Sequence, residues 1–240
     1  TNLKGANFMN TKIDEYSSSF SGNNDFTAAD FRGSDMTLDR FKSTDTLKNT
    51  IMTDGTIQNF SMESAEDSFA IREYLLPEGG EDISAKITQS ASISGGADLT
   101  LETGACLEVV DGAILTVKNG SMITINTDGT SLFEIGENSG LAFEDGAVLK
   151  VNVEGVFTEP EVCSFVFISA HGSSLISGLD ELMEGGNFLL SLNGELFNGQ
   201  WDYFMENNNF EIRMQIPEPS TYAAIFGALV LAFAVCRRRK

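Results

Sequence analysis

The sequence predicts an all-β fold, a β-solenoid of stacked coils, followed by a single C-terminal transmembrane helix. Three observations predict it. Residues 1–60 repeat with a period of five, residues 83–155 repeat with a glycine about every eight, and 223–235 lack charge and strong polarity before a basic end. The 240 residues suffice for one large or two small domains. The predicted order is a five-residue repeat (1–60), a connection (61–82), a glycine-rich repeat (83–155), a β region or cap (156–214) and a tail (215–240).

The first repeat reads TNLKG, ANFMN and TKIDE, centred on Leu3, Phe8 and Ile13. After a slip it resumes as NDFTA, ADFRG, SDMTL, DRFKS, TDTLK and NTIMT, centred on Phe26, Phe31, Met36, Phe41, Thr46 and Ile51. Neither a 3.6-residue helix nor a two-residue strand stays in phase with a five-residue spacing. A square coil does, with one large apolar residue turned inward per side. The pattern resembles pentapeptide-repeat proteins, whose motif is A-[DN]-[LF]-x-x. ADFRG fits well, while Thr46 and the slip between Ile13 and Phe26 depart from it. The resemblance implies a right-handed quadrilateral β-helix. Because Thr1 opens in mid-repeat, further coils and an export signal are expected upstream.

Residues 61–82 are polar, with Pro77, Gly79 and Gly80, and read as a connection. Beyond it, Gly96, Gly104, Gly112 and Gly120 stand eight apart and open the blocks GADLTLET, GACLEVVD, GAILTVKN and GSMITINT. Each block is a glycine turn followed by alternating apolar residues such as Leu107 and Val109. That is the pattern of short half-buried strands. Hairpins would give the spacing, but stacked solenoid rungs explain its regularity better. Cys106 falls in phase with Asp98 and Glu108, on the outer face. The stretch loosely resembles the passenger repeats of autotransporters.

Residues 156–214 carry no clear repeat. Strands are expected around 162–168, 188–192 and 210–214, and one helical turn at 179–184. Trp201, Tyr203 and Phe204 suit a cap over an open solenoid end, with an aromatic sugar platform as the sharper alternative.

The tail runs Pro217-Glu218-Pro219, then the apolar stretch, then Cys236 and Arg237, Arg238, Arg239 and Lys240. From Pro219 to Lys240 a helix would be roughly 33 Å long at ~1.5 Å per residue, enough for a ~30 Å hydrocarbon core. The terminal basic cluster would set the C-terminus in the cytoplasm and everything before Pro217 outside. This three-part arrangement resembles the PEP-CTERM sorting signals of Gram-negative bacteria, as found in Verrucomicrobia and Lentisphaerae. The resemblance covers about a tenth of the chain. It implies that Pro217, Glu218 and Pro219 are read by exosortase, a membrane enzyme. It also implies that the helix and arginines hold the protein in the inner membrane until processing.

Asp and Glu number 35 against 15 Lys and Arg, a net charge of −20. Such a surface repels nucleic acid and anionic lipid, so no nucleic-acid partner is expected. Cys106, Cys163 and Cys236 match no metal or haem spacing, and sequence leaves open whether Cys106 and Cys163 pair. His171 is the single histidine, in a loop-like stretch, and no Gly-x-Ser-x-Gly elbow occurs. Neither a cofactor nor a metal site is expected. The function these readings favour is an exported, non-enzymatic surface or matrix protein associated with exopolysaccharide or adhesion. A β-helix lyase or glycosidase is the alternative.

Overall fold

The computed structural model describes residues 1–13, 22–155, 161–206 and 209–216. Short strands follow one another along a coiled path. β1 (Thr50–Ile51) and β2 (Ile57–Gln58) form a small antiparallel pair, and β3 (Phe69–Ile71) follows. Three regular coils come next. The first holds β4 (Ala85–Ile87), β5 (Ala91–Ile93) and β6 (Asp98–Leu101). The second holds β7 (Cys106–Val109), β8 (Ile114–Val117) and β9 (Met122–Thr127). The third holds β10 (Leu132–Ile135), β11 (Gly140–Phe143) and β12 (Val148–Val153). They continue into β13 (Glu161–Ala170), β14 (Leu175–Ser177), the helix α1 (Leu179–Glu184) and β15 (Phe188–Leu192). β16 (Glu195–Leu196), β17 (Trp201–Glu206) and β18 (Asn209–Ile216) complete the described chain.

Consecutive blocks of the eight-residue repeat therefore do not form hairpins. They lie in three different sheets, and each strand pairs in parallel with the strand one coil away: β4 with β7, β5 with β8, β6 with β9. In-register residues stack along each face, as in Leu107↔Phe133 and Leu115↔Leu141. Three glycine-opened blocks make one coil of a three-faced β-solenoid. Gly120, at φ +73°, shows why glycine recurs at the corners, since a Cβ disfavours the left-handed region.

Alternation within each strand sends one residue in two to the axis, and Leu99, Leu101, Leu107, Val109, Leu115 and Val117 are fully buried. Cys106 lies half-buried on the outer side of β7, as its phase required. The corners are tied by hydroxyls. The Gly96, Gly104 and Gly112 amides donate to Ser121, Ser131 and Ser139 Oγ at 3.1, 2.9 and 3.1 Å, each one coil further on. All three serines are buried. Ser139→Ala removes the acceptor of the Gly112 N–H and is expected to cost about 0.5–1.5 kcal/mol. Urea unfolding of variant and parent measures that loss.

The five-residue repeat also coils in parallel. Asn2 bridges Asp25 and Asp25 bridges Thr46; Asn7 bridges Asp30 and Asp30 bridges Ile51. Phe26, Phe31 and Met36 are buried at its centre, with Leu3, Phe8, Ile13, Phe41 and Leu47 packed around them. Phe8 stacks on Phe31 at 4.7 Å, and Phe41 meets Phe31 edge-on at 5.3 Å. Leu47 takes the inward place that the repeat assigns to Thr46.

Part of the expected connection, 61–82, joins the stack up to Ile71, while residues 72–82 hold no strand. Thr56 bridges Lys86, Met62 bridges Ile93, and β3 pairs in parallel with β6, so 56–71 is itself a layer of the stack. A short 3₁₀ turn at Ala65–Asp67 interrupts it.

The expected C-terminal transmembrane helix requires correction. No helix of the described residues is long and apolar enough to cross a membrane. The one α-helix among them, α1, has 6 residues, against the ~20 that a span requires. It packs Leu179 and Leu182 into the solenoid. The described residues thus form a mostly-β solenoid with one short α-helix. The expected span, with Pro217, Glu218, Pro219, Arg237, Arg238, Arg239 and Lys240, lies outside the described residues.

Candidate functional site

Four places hold residues with chemical potential, and they lie in different parts of the stack. On the outer face of the β4–β7–β10 sheet, Lys86, Glu108 and Glu134 stand in register on neighbouring strands. Cys106 joins them: its Sγ and a carboxylate oxygen of Glu108 and of Glu134 all lie within 4.8 Å of one another. This trio could touch one cation. Cys106 is a free thiol. Burial, reinforced by the Glu134, Glu108 and Asp82 charges, pushes it up to about 11, against the pull of a Ser84 hydrogen bond. It is protonated at neutral pH, which makes it a poor nucleophile and a poor soft-metal ligand. Charge repulsion across parallel strands is met by Lys86 on the far side of Glu108. Sequence reasoning placed Cys106 outward but could not bring Glu134 to it, because that contact depends on which strands pair.

His171 is exposed in the turn between β13 and β14, its N–H donating to the Ile135 carbonyl at 2.9 Å. Backbone bonds hold the turn, and the imidazole faces outward from it. Cys163 lies on β13 opposite Met214 of β18.

At the C-terminal end, β18 pairs antiparallel with β13, and β17 with β18, closing one sheet with a hairpin. Phe210, Ile212 and Met214 are buried over the last coil. Phe210 meets Phe167 edge-on at 4.9 Å, Tyr203 stacks on Phe210 at 5.7 Å, and Trp201 lies 5.3 Å from Phe188. The rings thus pack on one another and on the core end. Trp201 and Tyr203 keep 37% and 36% of their surface exposed.

The fourth place is a groove of about 610 Å³ where the two repeat types meet. One wall is the stack of Lys4 and Gly5, Asp25 and Thr27, and Thr46 and Lys48; the other is the overhanging segment 66–72. Two cross-links span it. The Lys48 ammonium pairs with Asp67, and Arg72 Nη2 donates to the Gly5 carbonyl at 3.1 Å. Lys4 sits 3.5 Å from Asp25. Burial pushes the Asp25 carboxyl up, but the Thr27 hydroxyl and amide and the Lys4 charge outweigh it and hold it below its ordinary value. The Lys48 bond, helped by the Glu63 N–H and Ser64, holds Asp67 low against the opposing effect of burial. Both acids are therefore ionised at neutral pH. No sequence signal marks this groove, since its residues are spread over nearly seventy positions.

One carboxylate on the solenoid wall behaves oppositely. Desolvation raises the Asp98 pKa above its ordinary 3.8, against a Thr124 hydrogen bond and the Lys150 charge, and its Oδ1 is buried with no hydrogen-bond partner. The folded state therefore binds its proton more tightly than the unfolded chain does. Asp98 lowers stability as pH rises from 3.8 through the raised value. Asp98→Asn is expected to raise the urea midpoint at neutral pH and to lose that advantage in acid; an unchanged difference at both pH values contradicts the assignment.

Comparison with protein-family models, curated proteins and solved structures returned no match.

Proposed function

We propose that the chain is an exported, non-enzymatic surface or matrix protein, delivered by an exosortase and displayed close to exopolysaccharide. The observation that carries this reading is the terminal arrangement of Pro217-Glu218-Pro219, an apolar stretch and Arg237 to Lys240. A motif of three separate parts in fixed order at a chain end is far more specific than a tripeptide alone. It makes this protein a substrate of the membrane-embedded sortase rather than a catalyst.

The body supports a display role. Parallel ladders stack the five-residue coils and the glycine-rich coils, with the antiparallel β1–β2 pair between the two sets, so coils rest on one another with regular faces. Hydroxyl-capped corners and an apolar axis suit a protein that stands in an open environment. The net charge of −20 favours solubility and disfavours nucleic acid as a partner.

Replacing Pro217, Glu218 and Pro219 together by alanine is the test. In cells containing the exosortase, the parent is expected at the surface and the variant in the membrane fraction, measured by surface biotinylation and fractionation. Equal surface display of both would overturn the reading.

A further inference from the structure

We propose that the groove between the Lys4–Asp25–Thr46 stack and the segment 66–72 binds a neutral oligosaccharide. Its cause is a change in coil length. In the five-residue repeat, Asp25 and Thr46 lie one coil and 21 residues apart, whereas Thr56 and Lys86 are 30 residues apart. Thr56, Met62 and Phe69 pair with Lys86, Ile93 and Leu99, so segment 56–71 keeps the spacing of a regular coil and the added residues fall after Ile71. The groove lies where this wider layer meets the shorter five-residue coils. Its volume of about 610 Å³ falls within the roughly 300–1,000 Å³ of small-ligand clefts.

The lining selects the ligand. Three cations, Lys4, Lys48 and Arg72, are matched by three carboxylates, Asp25, Glu66 and Asp67. The groove is locally neutral on a chain of net −20, which disfavours a polyanion. The only large apolar side chain in the wall is Phe69, so a hydrophobic ligand would desolvate ions for little return. Vicinal hydroxyls both donate and accept, and they match interleaved ammonium, carboxylate and hydroxyl groups. Donor capacity remains: the Lys48 ammonium offers three protons and bonds Asp67, and the Arg72 guanidinium offers five and bonds Gly5. Thr27, Thr46 and Ser68 add hydroxyls, and Phe69 offers an apolar surface for sugar C–H groups. The Lys48–Asp67 and Arg72–Gly5 cross-links fix the two walls before any ligand arrives, which reduces the ordering cost of binding.

This deepens the glycan association in the proposed function and rests on that reading for the source of the sugar. The sorting role stands or falls separately. The test is backbone-amide NMR of the full chain titrated with maltotriose, cellotriose and mannotriose, and with trigalacturonate as the anionic control. At least one neutral trisaccharide is expected to shift Gly5, Thr27, Lys48 and Ala70. Ala70→Trp puts bulk into the groove from β3, in register with Thr100, and is expected to weaken that binding about tenfold or more. Lys4→Ala, at a side chain 58% exposed, leaves the fold intact and should weaken binding in the same direction. Absence of shifts with all three neutral sugars, shifts confined to the Trp201–Tyr203 end, tighter binding of trigalacturonate, or unweakened binding in both variants would each overturn the proposal. Surface display by the intact chain is unaffected by any of these outcomes.

Discussion

Arg32→Ala is expected to destabilise the protein by about 3–5 kcal/mol, the cost of removing one partner of a buried ion pair. Arg32 is fully buried, and so is Asp30. Its Nη2 lies 2.7 Å from Asp30 Oδ2, and its Nε contacts both Asp30 oxygens at 3.1 and 3.2 Å. The remaining donors reach the next layer. Nη1 donates to the Ile83 carbonyl at 3.1 Å and Nη2 to the Arg72 carbonyl at 2.7 Å, while the guanidinium lies 5.5 Å from the Tyr74 ring centroid. One side chain therefore ties the five-residue coils to the segment that leads into the eight-residue ones. Alanine leaves the buried Asp30 carboxyl without its guanidinium partner, with two carbonyls losing their donor. Lysine cannot reproduce the fork and should recover little. Denaturant unfolding gives the loss directly, and a change below about 1 kcal/mol would show that the clamp is not a structural support.

Gly95→Ala is expected to be comparably severe, for a steric reason. Gly95 has φ +63°, and a Cβ there would lie 1.9 Å from the Glu63 carbonyl oxygen and 2.6 Å from its carbon. Those atoms are backbone of the neighbouring coil and cannot swing away, so the coils must separate locally. Gly120 is the control. Its φ is +73°, yet nothing lies within 4 Å of its added Cβ. Gly120→Ala should then cost only the left-handed conformation, about 1–2 kcal/mol. A thermal-unfolding comparison with Gly95→Ala clearly below Gly120→Ala supports the stacking distance at that corner, and equal losses contradict it.

The solenoid was legible wherever one residue type had to recur. Phe26, Phe31 and Met36 point inward because a coil of five-residue sides repeats its inward position every five. Leu107 and Val109 do so because strands alternate. The number of blocks per coil was not legible, since Leu107 meets Phe133 only through the angles at three intervening corners. Residues 61–82 read as a connection because Met62 and Ile71, both buried, stand too far apart in a polar stretch to show a period. No pattern marks the burial of Arg32, because it is closed over only by the later residues Arg72, Tyr74 and Ile83.

The groove was invisible for the opposite reason. Lys4, Asp25, Lys48, Asp67 and Arg72 form no motif, and only coil stacking brings them together. Pro217, Glu218 and Pro219, to which the proposed function gives a sorting role, show the reverse case and lie outside the described residues. Their proposed role is read wholly from the sequence.

The most direct measurement for the central claim is the mass of the mature C-terminus, from cells with and without the exosortase. The account predicts loss of Arg237, Arg238, Arg239 and Lys240 when the enzyme is present and their retention when it is absent. Arg239 and Lys240 retained in both would contradict it.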